Sequence, residues 1–328
     1  MVLLRIEDEE GNEGWGDAVP LTLRGGADLT MVQEALGGFC ASVMAGSPAD
    51  REERLDDCAS GSIPPPALAA VDAALLDLLG RAAGEPVWRI LGADSAADVP
   101  CNGTLGAGDP ADVARAAETM VDLGFGTLKL KVGTGDDLAR FLAVRSAAGD
   151  AVKLRIDANG AWSVGEAIEL LTEMRELGLE LAEQPCATTE ELAMLGDRLD
   201  VPIVADENVA SLADALRVKD LGACEAATLK LAKVGGAREA LRIAEAIPSY
   251  LSSALDSPLG IAAAVHVAQV LPQNEFTAGL AHGLATSSLF ADNVAAADAF
   301  AGPTIPAPAS PGLGVEIDRD AVERLRIR

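Results

Sequence analysis

The chain has 328 residues, of which 49% are hydrophobic and 3% aromatic, and its formal net charge is −26 at pH 7. That length predicts one large domain or two coupled domains with a sizeable core, and the acidic surface excludes nucleic acid and anionic membranes as expected partners. Five scattered cysteines without a CxxC pair indicate neither a disulfide framework nor a thiolate metal site, and a reducing cytoplasm fits them best.

Residues 1–97 combine a strand-like opening, VLLRIEDEEGNEGWGDAVP, with helical stretches such as Pro66 to Ala82. We expect this part to form an α+β capping domain. No charged-then-apolar leader opens the chain, so a signal peptide is not expected. Asp72 and Asp77 interrupt the most apolar helix, Leu68 to Leu79, which argues against a membrane span.

From residue 98 to residue 300, short strand-like runs alternate with helical stretches. The eight runs are VPCNGT, TLKLKV, KLRID, LELAE, PIVAD, AATLKL, YLSSAL and EFTAGL. Their ends lie 23 to 26 residues apart from Lys131 to Gly279, a spacing that suits a strand, a helix and two loops. We therefore predict a (β/α)8 TIM-type barrel at 98–300. Residues 301–328 are expected to return to the cap.

Polar side chains end five successive strands of this barrel, where catalytic groups of such barrels lie. They are Lys131, Asp157, Glu183, Asp206 and Lys230. Three carboxylates that converge on one mouth need a cation, and hard oxygen ligands of this number suit Mg²⁺. The flanking lysines suit removal of a proton next to a substrate carboxylate, through an enediolate. Lys129 shares a strand face with Lys131, whereas we assign Lys233 to a loop or the surface.

The motifs around these residues resemble the muconate-lactonising-enzyme subgroup of the enolase superfamily. They are RIDANGAW, AEQP, VADEN and TLKLAKVGG, together with the LKLK pair, and the resemblance extends from GWGDAVP to the end of the chain. It implies an enolase-like fold, and the following roles: Mg²⁺ ligands Asp157, Glu183 and Asp206; an acid/base pair Lys131 and Lys230; a tuning role for Lys129; and support of the metal ligands by Asn159 and Glu207.

Within the subgroup, EQPCATTEELA and SSALDSPLGIAAAVHVAQVLP resemble the o-succinylbenzoate synthases, which are carbon-oxygen lyases of menaquinone biosynthesis. This resemblance implies dehydration of a small-molecule carboxylate. Ser253 and Gly279 would contact its succinyl and ring portions, although the repeat GLAHGLAT leaves open whether Gly279 or Gly283 is the matching glycine. His282 lies just beyond the eighth strand and is a further candidate substrate contact. His266, within an apolar helix, is assigned to packing.

Other activities stay open. The alternative within the superfamily is a racemase of N-acylamino acids or a dipeptide epimerase, with muconate cycloisomerisation as a weaker third. Dipeptide epimerases usually carry Asp-x-Asp after the eighth strand, and FTAGLAHGLAT has no acidic residue. A Schiff-base aldolase would use Lys131 or Lys230 as nucleophile, which leaves the three carboxylates unexplained. A non-catalytic binding barrel would not need all five strand-end groups.

The chain opens at what resembles the second cap strand of the family. The resemblance therefore implies that the first strand and the mobile lid loop are missing. A cap sheet that is one strand short has an exposed edge, at which another copy of the chain could pair. A homo-oligomer is one expectation from this feature.

Overall fold

The computed structural model describes residues 1–22, 26–43, 51–60, 63–196 and 198–327. The cap is formed by an antiparallel strand pair and the helices that follow it. The elements are β1 (Val2–Glu7), β2 (Glu13–Ala18), α1 (Leu29–Val43), α2 (Arg51–Ser60), α3 (Pro65–Ala83) and α4 (Val87–Ile90). Apolar side chains of β1, α1, α2 and α3 form one core of the cap, including Leu4, Val32, Leu55 and Val71.

Two glycines of the GWGDAVP motif let α3 lie directly against β2. A Cβ atom at Gly14 would be 2.1 Å from the carbonyl oxygen of Ala74, and one at Gly16 would be 2.1 Å from that of Ala70. Only a hydrogen atom fits in either place. Close packing of a helix on a strand therefore explains both glycines.

Strands and helices then alternate along the chain. The elements are β3 (Val99–Pro100), β4 (Gly103–Leu105), α5 (Pro110–Asp122), β5 (Thr127–Lys131), α6 (Asp137–Ala148), β6 (Lys153–Asp157), α7 (Val164–Glu176), β7 (Leu179–Glu183), α8 (Thr189–Gly196), β8 (Ile203–Ala205), α9 (Leu212–Asp220), β9 (Ala226–Leu229), α10 (Leu231–Val234), α11 (Ala237–Ala246), β10 (Ser249–Leu251), α12 (Pro258–Ala268), β11 (Thr304–Ile305) and α13 (Arg319–Leu325), with 3-10 turns at Ser287–Leu289 and Asp298–Phe300. Strands β4 to β10 form a parallel sheet in chain order. Leu128 and Leu130 of β5 pack in the core against the helices.

A short extended segment at His282 and Gly283 joins residues 100–102, directly before β4, to the end of β10 and closes the barrel. The His282 amide donates to the Pro100 carbonyl at 2.7 Å, and the Gly283 amide donates to the Leu251 carbonyl at 2.8 Å. The predicted barrel with an α+β cap is therefore confirmed.

The prediction that EFTAGL forms the eighth strand is wrong. The side-chain oxygen of Asn274 accepts the amides of Phe276 and Thr277 at 3.1 and 2.8 Å, and the Leu280 amide donates to the Thr277 carbonyl at 3.1 Å. These bonds fold the stretch into a turn, and Gly279 within it has a φ of 78°. Phe and Thr favour strands, but the preceding Asn offers the backbone a competing local hydrogen-bond acceptor.

Two buried aspartates on α3 join the cap to the rest of the chain. Asp77 accepts the amide of Trp15 from β2 at 2.9 Å and that of Leu313 from the C-terminal segment at 2.7 Å. Asp72 accepts the amide of Arg238, at the start of α11, at 3.1 Å. The carboxylates that interrupt this apolar helix therefore accept backbone amides of three other segments.

His266 on α12 has the packing role predicted for it. Its Nδ1 accepts the amide of Trp88 from α4 at 3.1 Å, and its Nε2 lies 3.2 Å from the carbonyl oxygen of Leu313. Burial lowers the pKa of His266 to about 4, so the ring stays neutral near pH 7. None of the helices in the described ranges has both the length and the apolar character needed to cross a membrane.

The cap also meets the barrel at a pair of buried carboxyl groups, Asp17 of β2 and Asp256 of the β10–α12 loop. Asp17 accepts the amide of Ser257 at 2.9 Å, and Asp256 accepts the amide of Ala254 at 2.8 Å. Burial, and then the charge of Asp256, raises the pKa of Asp17 to about 7. Burial likewise raises the pKa of Asp256. The folded protein therefore holds a proton here that the unfolded chain loses near pH 4.

This pair makes folding stability depend on pH. Because the folded-state pKa of Asp17 is above its unfolded value, the stability that Asp17 contributes is fully present below about pH 4 and is lost as the pH rises through about 7. We expect Asp17→Asn to reduce this fall, by roughly 1 kcal/mol per pH unit in the window. Urea unfolding of both proteins between pH 5 and pH 7.5 measures the difference. Asp122→Asn, at an exposed position of α5, is the matched control; parallel stability curves for wild type and Asp17→Asn would contradict the prediction.

Candidate active site

The register of the sheet aligns the predicted site residues at one end of the barrel. Lys131 lies opposite Asp157, and Asp157 lies opposite Glu183. Asp206 follows the last residue of β8, and Lys230 follows the last residue of β9. Because the strands are parallel, all five side chains reach the carboxyl-terminal mouth together.

Asp157, Glu183 and Asp206 form a compact carboxylate cluster. One carboxylate oxygen from each lies within 4.8 Å of those from the other two, and all three residues are fully buried. In the described part of the chain they are the group of this kind that could hold a metal ion. An all-oxygen donor set with room for further ligands fits Mg²⁺, which keeps water and substrate oxygens in its coordination shell.

Lys129 and Lys131 bind the cluster from β5. The Nζ of Lys129 donates to both carboxylate oxygens of Glu183 at 2.9 and 3.0 Å, and lies 3.4 Å from Asp157. The Nζ of Lys131 donates to Asp157 at 2.6 Å and to the Asn159 side chain at 3.0 Å. Burial opposes the charge of Lys129, but Glu183 and Asp157 outweigh it and raise the pKa of Lys129. For Lys131 burial is stronger than the pull of Asp157, and its pKa is lowered.

Two lysines bind Asp206 from the other side of the cluster. The Nζ of Lys230 donates to one carboxylate oxygen of Asp206, and that of Lys233 donates to the other at 2.7 Å. Lys233 also donates to the Asp206 carbonyl at 2.5 Å. The assignment of Lys233 to a loop or the surface is therefore wrong, because the short helix α10 turns it back towards the site. Its spacing of three from Lys230 was the available signal, since residues three apart share a helix face.

These lysines keep Asp157 and Asp206 ionised in spite of burial. Burial alone would raise the pKa of Asp157, but the charges of Lys129 and Lys131 lower it to about 2. Burial also acts against the charge of Asp206, and Lys233 and Lys230 together hold the pKa of that carboxyl well below its usual range. Asp157 and Asp206 are therefore negatively charged at neutral pH.

Asn159, Glu207 and Gln184 connect the ligand-bearing loops. The Asn159 side chain donates to Asp157 at 2.6 Å and to Glu207 at 3.2 Å, as expected of supporting residues. Gln184, which was not predicted, accepts the amide of Asp206 at 2.8 Å. Asn159 and Gln184 have φ angles of 47° and 40°, so the backbone is strained directly after two of the ligand strands.

The predicted substrate contacts occupy different places. Ser253 lies at the mouth, where its amide donates to the Gly283 carbonyl at 3.0 Å. Gly279 lies in the turn before Leu280, whose side chain packs with Ala226, the first residue of β9. Gly279 is therefore at the amino-terminal end of the barrel, away from the carboxylates, and Gly283 is the glycine at the mouth.

His282 lies in the barrel wall rather than on its rim. The ring is buried, and its Nδ1 accepts the amide of Leu251 at 3.0 Å. Burial, and then the charge of Arg155, lowers the pKa of His282 to about 4. These contacts give the neutral ring a structural role, and a contact with substrate stays a prediction.

Family models match both parts of the chain. Residues 1–92 match the N-terminal domain of mandelate racemase and muconate lactonizing enzyme, and residues 112–321 match the enolase C-terminal domain-like family. Together these matches include the cap strands and every residue of the carboxylate and lysine cluster.

Curated relatives with several activities resemble this chain. L-Ala-D/L-Glu epimerase of Clostridium acetobutylicum is 35% identical over 81% of this chain and 78% of its own. The o-succinylbenzoate synthase of Thermobifida fusca is 41% identical, over 56% of this chain and 59% of its own.

Solved structures give the same range of activities. N-succinyl Arg/Lys racemase from Bacillus cereus superposes with a TM-score of 0.91 and 25% identity, over 99% of this chain and 90% of that one. A dipeptide epimerase from Enterococcus faecalis, in complex with Mg and the dipeptide L-Leu-L-Tyr, superposes with a TM-score of 0.89 and 31% identity, over 96% and 91% of the two chains.

Removing one carboxylate of the cluster tests the metal site directly. We expect Asp157→Asn and Glu183→Gln each to weaken Mg²⁺ binding by more than about tenfold, because each removes a charged oxygen ligand. Isothermal titration calorimetry with Mg²⁺ alone gives the dissociation constants. Asp220→Asn, at an exposed position of α9, should bind as the wild type does. Equal affinity in all four proteins would disprove the assignment.

Proposed function

The chain belongs to the muconate-lactonising-enzyme subgroup of the enolase superfamily, and we propose that it abstracts a proton from the carbon next to a substrate carboxylate. One observation carries this proposal: Lys131 and Lys230 bind the buried carboxylate cluster from opposite sides. Lys131 ends β5, and Lys230 directly follows β9. The three carboxylates lie at the ends of β6, β7 and β8, which are between these two strands in the sheet. A substrate above the cluster would thus have one ammonium or amine group on each face.

The residues divide the chemistry between them. Asp157, Glu183 and Asp206 would hold Mg²⁺, which when bound supplies positive charge to stabilise the enediolate form of the substrate. One lysine takes the proton as a neutral amine, and the other stays protonated on the opposite face. Lys129 and Lys233 stay bonded to the carboxylates. Lys131 and Lys230 can therefore give up their own bonds to Asp157 and Asp206 and bind the substrate instead.

We favour dehydration of the o-succinylbenzoate synthase type as the specific reaction. The motifs around Glu183 and Ser253 support it, and so does the 41% identity to the synthase from Thermobifida fusca. The chemistry at the mouth also argues against a substrate with a free ammonium group. The stretch from His282 to Thr286, which closes the barrel and continues at the mouth, contains no Asp or Glu to bind such a group. A succinyl-bearing carboxylate needs no anionic partner there.

Racemisation of an N-acylated amino acid is the second candidate. Its support is the agreement with N-succinyl Arg/Lys racemase along 99% of this chain. In such a reaction the two lysines would act in turn, one removing the proton from one face and the other returning it to the opposite face. The same geometry serves both candidates, because dehydration also begins with proton removal.

A Schiff-base aldolase is less well supported than either. A nucleophilic lysine needs no metal site beside it, so an aldolase leaves the buried cluster of three carboxylates without a role. Borohydride trapping with a carbonyl substrate would separate the two chemistries.

Substitution of the lysine pair tests the proposed chemistry. We expect Lys131→Ala and Lys230→Ala each to lower kcat by about 100- to 10,000-fold, since each acts as a general acid or base. Circular dichroism and thermal melting should match the wild type. Lys219→Ala, on the exposed side of α9, is the matched control and should retain full activity. Substantial turnover in Lys131→Ala or Lys230→Ala would show that the substituted lysine is not the general acid or base.

A substrate panel distinguishes the two specific reactions. With Mg²⁺ present, we expect dehydration of the cyclohexadiene carboxylate precursor of o-succinylbenzoate, measured by absorbance. N-succinylamino acids and dipeptides should be assayed beside it in D₂O, with deuterium incorporation at the α-carbon followed by NMR. Turnover of N-succinylamino acids alone would reverse the order of the candidates. No exchange with any α-substituted carboxylate would reject the proposal.

A further inference from the structure

Tyr250 makes a contact that no sequence motif predicted. It is the single tyrosine of the chain, lies on β10, and is 1% exposed. Its hydroxyl group donates a hydrogen bond to one carboxylate oxygen of Glu183, over 2.7 Å. Two strands, β8 and β9, separate β10 from β7 in the sheet, so this bond crosses the interior of the barrel.

The ring of Tyr250 is held in place by Arg155 and by apolar side chains. The guanidinium group of Arg155 lies over it, 5.4 Å from the ring centroid. Arg155 is itself fixed, because it donates to Glu180 at 2.5 Å and to the Ala281 carbonyl at 2.6 Å. Around the ring, the buried side chains of Leu181, Val204, Ala226 and Leu280 form an apolar cluster. The hydroxyl group therefore has little freedom to leave Glu183.

The Tyr250 hydroxyl group is the contact that orients the carboxylate of Glu183. Lys129 bonds both carboxylate oxygens almost symmetrically, at 2.9 and 3.0 Å, and so does little to fix the rotation of the carboxylate plane. Tyr250 bonds only one of the two oxygens. A directional bond to one oxygen fixes the plane of the carboxylate group relative to Asp157 and Asp206. Partners of this kind, which orient a metal ligand, typically change metal affinity 10- to 100-fold when removed.

We propose that Tyr250 is a positioning residue for the metal site, whose hydroxyl group holds Glu183 in the orientation that binds Mg²⁺. The inference rests on the metal-assisted function proposed above, and adds to it a residue outside the carboxylate and lysine set. The competing explanation is that Tyr250 only fills the barrel. Tyr250→Phe separates the two, because it keeps the ring over Arg155 and removes only the hydroxyl group.

Mg²⁺ titration calorimetry and thermal melting of wild type, Tyr250→Phe and Ser252→Ala form the first test. Ser252→Ala is the matched control, since it removes a hydroxyl group two residues away that bonds the Gly283 carbonyl at 3.3 Å. We expect Tyr250→Phe to raise the Mg²⁺ dissociation constant about tenfold with little change in Tm, and Ser252→Ala to leave it unchanged. An unchanged constant in Tyr250→Phe would overturn the proposal. Absence of Mg²⁺ binding by the wild type would overturn it together with the proposed function.

The single tyrosine allows a second test on the otherwise native chain. Growth with 3-fluorotyrosine places fluorine at this residue alone, and a ¹⁹F NMR titration with Mg²⁺ then reports on its hydroxyl contact. We expect the resonance to move with the dissociation constant found by calorimetry. A resonance that stays fixed while calorimetry detects binding would show that Tyr250 does not sense the metal ligand, and would overturn the proposal even if Tyr250→Phe failed to fold.

Discussion

The central physical constraint of this structure is the burial of three carboxylates within 4.8 Å of one another. Like charges this close, in a medium of low dielectric constant, would take up protons unless cations surround them. Four lysines contact the cluster, and these are Lys129, Lys131, Lys230 and Lys233. Strand register brings Lys129, Lys131 and Lys230 to the cluster, and the short helix α10 brings Lys233, so the charge balance depends on the fold.

The barrel interior is organised around this charge cluster. The carboxylates and lysines of the site occupy the carboxyl-terminal half, and below them the charge of Arg155 is paired with Glu180. At the other end, Leu181, Val204 and Leu280 form an apolar cluster, with Phe276 packed against it. A buried charge without a partner is costly, which explains why the charged groups here are paired and apolar groups fill the rest.

The strand ends could be predicted from sequence because a repeat of nearly constant length places them, and because carboxylates and lysines are conspicuous at such positions. The eighth strand could not, since the barrel closes through backbone bonds of His282 and Gly283 that leave no periodic pattern. Lys233 was misassigned because a short helix, α10, reverses its direction after β9. Tyr250 was missed because a tyrosine in a strand is ordinary, and only the curvature of the sheet brings it across to Glu183.

The same lysines and carboxylates do not by themselves choose a substrate. Chains similar to this one include an epimerase, a synthase and a racemase, so the difference must lie where a substrate extends beyond its carboxylate. The rim after β10 has the features of such a place. Leu255 there has a φ of 66° and is 50% exposed, a strained and costly state for an apolar side chain. Asp17 of the cap bonds the same loop through Ser257, so the conformation of this rim is set jointly by the barrel and the cap.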